Sequence, residues 1–175
     1  MSNPLENIID FTLIYNRYKR QLFNFSLKMV NDRFTCEDII QNVFIKLFEN
    51  LKSIRNPDRI QYWLFSTARN EIYTFYRRKK VHLDQFGAED STEIDIESGD
   101  NVDYEYEQKE LSEIVMNELN KIAIEQKEIF LLKEYGGLSY KEIAEVMKID
   151  EDLVKSRLFK TRQKLIKRLS RIVTR

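Results

Sequence analysis

Apolar residues recur along most of this chain at intervals of three and four, the pattern of helices that bury one face. From about residue 8 to residue 30, Phe11, Ile14, Tyr15, Tyr18, Leu22, Phe25 and Met29 keep that rhythm. A second helix is predicted to start at Thr35, with Thr35 as N-cap and Asp38 at N3 in an acidic version of the capping box. Along it Ile39, Ile40, Val43, Phe44, Leu47, Phe48 and Leu51 make a core face, leaving Asp38, Gln41, Asn42, Lys46 and Glu49 outside. A third helix runs from about Ile60 to Lys80. Three or four such helices make a small bundle.

The rhythm stops after Lys80. Residues 81–108, VHLDQFGAEDSTEIDIESGDNVDYEYEQ, have no sustained period of 3.6 or 2 and few large apolar side chains. Such a stretch cannot bury enough apolar surface to offset its chain entropy, so it is predicted to be a flexible, disordered linker. Helical spacing resumes from about 108 to 120 and again from Gln126 to Tyr135, where Gly136 and Gly137 offer a left-handed stop. Ser139 then caps a helix with Glu142 at N3, and Ile143, Ala144 and Met147 are expected to face inward. Asp150 caps the last helix, in which Val154, Leu158, Leu165 and Leu169 continue the inner stripe. The expectation is an all-α fold of two small helical domains, 8–80 and 109–175, joined by the linker 81–108.

Composition agrees with helices. The 175 residues include four Gly and two Pro, too few turn formers for an all-β protein. Cys36 and His82 are the lone cysteine and histidine, which leaves no internal disulfide, no zinc cluster and no Cys/His or Ser/His/Asp set. No metal, cofactor or enzymatic chemistry is expected. The N-terminal stretch lacks a signal-peptide profile and no apolar run reaches the roughly 20 residues of a membrane span, so the chain is expected to be cytoplasmic without direct membrane insertion. Net charge is zero, but its distribution is uneven: +6 over residues 1–80, −10 over 81–108 and +4 over 109–175. Residues 153–175 alone carry nine basic side chains and no acid.

Two short helices joined by a tight turn, the second rich in cations, suit a DNA-reading helix-turn-helix. The first must cross the second closely, where Ala144 supplies a small residue, and the second presents side chains to base edges in the major groove. Lys155, Ser156, Phe159 and Lys160 are expected on the exposed face, with Arg157, Arg162 and Lys164 reaching phosphates. Lys148 occupies the turn position that glycine usually fills, at a cost of about 1 kcal/mol for positive φ. A basic amphipathic helix on a solvated surface is the bland alternative.

The run EIAEVMKIDEDLVKSRLFKTRQKL resembles region 4 of the extracytoplasmic-function (ECF) sigma factors, and by itself is also similar to LuxR-type regulators. The front half separates the two: EDIIQNVFIKLFENL followed by YWLFSTARNEIYTFYRRKK resembles sigma region 2. The resemblance implies a protein that binds core RNA polymerase, reads promoter −35 and −10 elements and helps melt DNA. It implies docking on the polymerase β′ clamp helices through Asp38, Gln41 and Asn42, the last standing where an acid is common. It also implies a β-flap contact and a partner anti-sigma factor. For the −10 element it implies Arg55, Asn56 and Arg59 in the loop 53–61, then Arg69, Asn70, Arg77 and Arg78, with Lys79 and Lys80 adding positive charge. For the −35 element it implies Lys155, Ser156, Arg157, Phe159 and Lys160. Trp63, Phe65 and Tyr73 are read as core rather than as stacking platforms. The competing readings are a free-standing helix-turn-helix regulator with an N-terminal sensing or dimerisation bundle, and a small nuclease or recombinase subunit. The second would need a carboxylate cluster beside the basic residues, whereas the acids concentrate in the linker.

Overall fold

The structure, a computed structural model, describes residues 4–86 and 104–173. Among these residues every regular element is helical, as the hydrophobic rhythm predicted: α1 (Pro4–Val30), α2 (Arg33–Asn50), α3 (Ile60–Phe86), α4 (Tyr104–Leu119), α5 (Ile124–Glu134), α6 (Tyr140–Met147) and α7 (Glu151–Val173). Two single 3₁₀ turns, Leu51–Ser53 and Pro57–Arg59, connect α2 to α3. The chain divides into two compact units, Met1–Asp95 and Ile96–Arg175.

In the N-terminal unit α1, α2 and α3 pack mutually. Leu22, Phe25 and Met29 of α1 meet Cys36, Ile39, Val43 and Leu47 of α2 and Leu64, Phe65, Ala68 and Ile72 of α3 in a core almost closed to solvent. The Phe25 and Phe65 rings lie 5.8 Å apart. Tyr76 adds a polar tie, its hydroxyl donating to the Met29 carbonyl at the end of α1.

The corner between α1 and α2 corrects the expected cap. Asn31 takes a left-handed conformation (φ 54°) that stops α1. Asp32 follows in extended geometry (φ −141°, ψ 121°) and its carboxylate accepts from the Thr35 amide at 3.0 Å. Asp32 is therefore the N-cap and Thr35 sits at N3, where its hydroxyl also donates to Asp32. The turn geometry decides between two good capping residues, because only Asp32 has the extended backbone an N-cap needs. Hydrogen bonding from the Thr35 side chain holds the Asp32 carboxyl below its ordinary pKa.

Two further expectations shift. Phe48, assigned to the core face of α2, is 54% exposed, and Ile40 and Leu51 are half-buried. Helix α3 continues to Phe86 and α4 starts at Tyr104, so both ends of the expected linker are helical. Nothing in VHLDQF interrupts a helix, since no Gly or Pro occurs between Pro57 and Gly87. Residues 87–103 of the expected linker lie outside the described residues.

In the C-terminal unit α7 packs against α4, α5 and α6. Leu119, Ile129, Leu131, Leu132, Leu138, Ile143, Val154 and Leu158 are buried there. Gly137 (φ 70°) makes the left-handed turn after α5, and the Gly136 amide donates to the Leu131 carbonyl at 2.9 Å. The predicted capping box is present. The Ser139 amide donates to Glu142 Oε2 at 2.6 Å, and the Glu142 amide to Ser139 Oγ at 3.2 Å. Val146 is more deeply buried than Ala144, which is half-buried at the turn and accepts from the Ile149 amide at 3.1 Å. Thr161 takes the inward position between Leu158 and Leu165 and donates to the Arg157 carbonyl at 2.8 Å, while Leu169 is half-buried.

Candidate polymerase and nucleic-acid interfaces

Three exposed surfaces carry the charged and polar residues expected to do the work. On α2, Asp38, Gln41 and Asn42 stand together on the outer face, at i, i+3 and i+4. Asp38 and Gln41 border a groove of about 750 Å³ between α1 and α2, whose floor is Phe11, Tyr15, Phe44 and Phe48. The Phe11 and Phe48 rings meet edge-on at 5.4 Å. Ile45, 49% exposed, stands on the same face one turn past Gln41. Sequence reasoning missed Ile45 and misplaced Phe48. Their spacing from Asp38, seven and ten residues, was the available signal.

The second surface spans the 3₁₀ turns and α3. Asn56 is exposed, and its side chain caps the second turn by accepting from the Asp58 amide at 2.9 Å. The Arg59 guanidinium lies 4.2 Å over the Tyr62 ring, and that of Arg69 lies 4.7 Å over Tyr73. These stackings hold flat cations against aromatic faces, an arrangement that fixes the side chains while keeping their charge. Phe65 is fully buried, whereas Trp63 and Tyr73 are only half-buried, so two of the three aromatics assigned to the core reach the surface. Arg55 and Asn70 are exposed, as is the basic block Arg77–Lys80, within which Arg77 donates to Thr74 Oγ1 at 3.1 Å. Asn70 and Arg77, two turns apart, lie on one stripe of α3; Arg69 lies about 100° round the helix from Asn70.

The third surface is the helix-turn-helix of α6 and α7. Lys148 adopts the left-handed conformation (φ 56°, ψ 47°), and its amide donates back to the Glu145 carbonyl at 3.4 Å. The tight turn therefore forms with a lysine in the glycine position. Lys155, Ser156, Phe159 and Lys160 are all exposed, with Phe159 at 64%. Lys155 is tethered by Glu151 at 3.0 Å, and that hydrogen bond raises its pKa. Arg157 sits apart: it is half-buried and pairs with Glu125 of α5 at 3.3 Å. Arg162 pairs with Glu134, and Lys164 donates to Gln126 at 3.1 Å. The three cations expected on phosphates thus line the α5 flank, while Lys155, Ser156, Phe159 and Lys160 stand together elsewhere on α7.

Among the described residues no group of three His, Cys, Asp or Glu side chains is arranged to hold a metal ion. Burial pushes the Cys36 thiol up to about 12, far from a reactive thiolate. No described helix is long and apolar enough to cross a membrane.

Residues 14–81 match Sigma-70 region 2, and residues 112–165 match Sigma-70, region 4. The ECF RNA polymerase sigma factor SigM of Bacillus subtilis is 30% identical over 156 residues, covering 87% of this chain and 90% of SigM. The B. subtilis RNA polymerase sigma factor YlaC is 27% identical, covering 90% of this chain and 91% of YlaC. In three dimensions the chain is similar to the sigma factor RpoE of Bartonella quintana, solved with the anti-sigma factor NepR. The TM-score is 0.74 at 21% identity, with 92% and 97% of the two chains covered. CnrH, solved with the cytosolic domain of CnrY, gives a TM-score of 0.66 at 22% identity, covering 91% and 87%. A region 2 helical unit followed by a region 4 helix-turn-helix defines a sigma-type transcription initiation factor. The chain belongs to the ECF sigma factors of the sigma-70 family.

Proposed function

We propose that this ECF sigma factor divides its work among the three surfaces as follows. The outer face of α2, with Asp38, Gln41 and Asn42, docks on the clamp helices of the polymerase β′ subunit, and the neighbouring apolar groove adds contact area. Arg55, Asn56 and Arg59 of the 3₁₀ segment, together with Arg69, Asn70, Arg77 and Arg78 of α3, engage the −10 element. Flipping a base out of the stack costs a few kcal/mol, which a base pocket and backbone neutralisation offset. Lys155, Ser156, Phe159 and Lys160 read the −35 element in the major groove, while Arg157 supports α7 from the α5 side and reaches phosphate only by leaving Glu125.

The observation that carries this reading is the pairing, on one chain, of a polar helix face beside exposed cations with a separate unit whose Lys155 face is open. The chain acts by binding, with no chemistry of its own, and works in the cytoplasm where polymerase and promoter DNA are. The anti-sigma partners of two structurally similar proteins support a like partner here. The division of labour is tested by measuring affinity for core polymerase. Asp38→Ala with Gln41→Ala should weaken it about tenfold or more, and Lys155→Ala should leave it unchanged. Equal loss in both variants would overturn the assignment.

A further inference from the structure

The part of α3 that runs past Lys80 is not absorbed by the roles above. Counting 100° per residue, Asn70, Thr74, Arg77, Arg78, Val81 and Gln85 fall on one stripe, with His82 at its edge. Arg77, Arg78, Val81, His82 and Gln85 together line a shallow, open pocket near the end of the helix. All five are exposed, and between Glu71 and Asp84 the helix carries no acid. Asp84 lies on a different face from Gln85, about 100° away.

We propose that this terminal stretch of α3 is a further DNA-binding site, for base-paired DNA just upstream of the element that is opened, and that Gln85 reads a base edge there. The inference rests on the −10 role of Asn70 and extends it along the same helix. From Asn70 to Gln85 the helix advances about 22 Å, which matches about six base pairs at 3.4 Å each. A stripe of that length cannot end on the same few opened bases at which it begins. Its far end meets DNA about half a helical turn upstream, where the strands are paired and the wide major groove admits a helix. The residue types suit that task in order. Arg77 and Arg78 neutralise phosphates, and His82 adds a further hydrogen-bonding group at the rim. Gln85 has the amide that pairs with the N6 and N7 of adenine in two hydrogen bonds. A glutamine at the exposed end of a cationic stripe gives selectivity that a further lysine would not.

The test uses the full chain assembled with core polymerase, on a promoter that it transcribes. Each base pair in the eight positions upstream of the −10 motif is replaced in turn, and initiation is measured. The wild-type chain should lose about five- to tenfold at one or two of these positions, as expected for a two-bond base contact. Gln85→Ala should lose that dependence while keeping its dependence on the −10 motif, and His82→Ala should weaken all templates alike. Circular dichroism melts of both variants should match the wild type, since both side chains are exposed. A wild-type chain indifferent to these positions would overturn the proposal, as would Gln85→Ala keeping the same preference. Were the −10 reading itself at fault, substitutions within the −10 motif would have no effect on the wild type, a result distinct from either.

Discussion

Lys127 is 7% exposed in the C-terminal unit, on a helix whose neighbouring Ile129, Leu131 and Leu132 are fully buried. Burial lowers its pKa from 10.5 to about 8. The difference of 2.5 units, at 1.36 kcal/mol per unit, sets an upper bound of about 3 kcal/mol on what the buried charge costs the folded state. Because the folded pKa is the lower one, the unfolded chain binds more protons between pH 8 and 10.5, and stability rises with pH across that window. The cost is present in full below pH 8. Lys127→Met keeps the volume of the chain and removes the charge, so it should stabilise the C-terminal unit at pH 7 by about 1–3 kcal/mol. The advantage should shrink as pH approaches 10. Urea unfolding followed by circular dichroism reports both units, whereas fluorescence of Trp63, the sole tryptophan, reports the N-terminal one. The expected change is therefore a later midpoint in dichroism with the fluorescence midpoint unmoved. A Met variant less stable at pH 7, or a difference that does not fall with pH, would refute the reasoning.

Other substitutions probe the turns and the reading face. Asp32→Ala removes the cap of α2 and should cost the N-terminal unit about 1 kcal/mol, seen as an earlier Trp63 fluorescence midpoint. Because the folded Asp32 pKa is depressed, this contribution should be lost on acidification through the ordinary carboxylate range; an Asp32→Ala effect equally large at pH 3 would contradict it. Lys148→Gly relieves a left-handed lysine and should stabilise the C-terminal unit by up to about 1 kcal/mol in urea unfolding, against a loss if the turn were right-handed. In initiation assays, Lys155→Ala should reduce use of a −35 element several-fold. Glu125→Gln, which releases Arg157, should alter DNA use far less, and the reverse ranking would reject the placement of the reading face.

The helices and the turn signals of the C-terminal unit were legible because each had a local cause. Ser139 with Glu142, and the glycine pair at 136 and 137, act within one turn of the chain. What was not legible depended on partners distant in sequence. Thr35 and Asp32 are both competent caps, and the left-handed Asn31 decides between them. Phe48 has the spacing of a core residue, yet its position on α2 overhangs the groove against Phe11. Arg157 and Lys155 are two residues apart and equally basic. Only the packing of α7 on α5 assigns the first to Glu125 and leaves the second exposed. The extension of α3 lacked an apolar rhythm because a helix that projects from its bundle has no core to face.

The central claim, that one chain reads two promoter elements on behalf of polymerase, is tested most directly by transcribing genomic DNA with core polymerase and this protein and mapping every start site. The account predicts starts that share two upstream motifs about two helical turns apart, lost when either Lys155 or Asn70 is replaced by alanine. Start sites with no shared motif, or motif-specific DNA binding of full strength without polymerase, would contradict it.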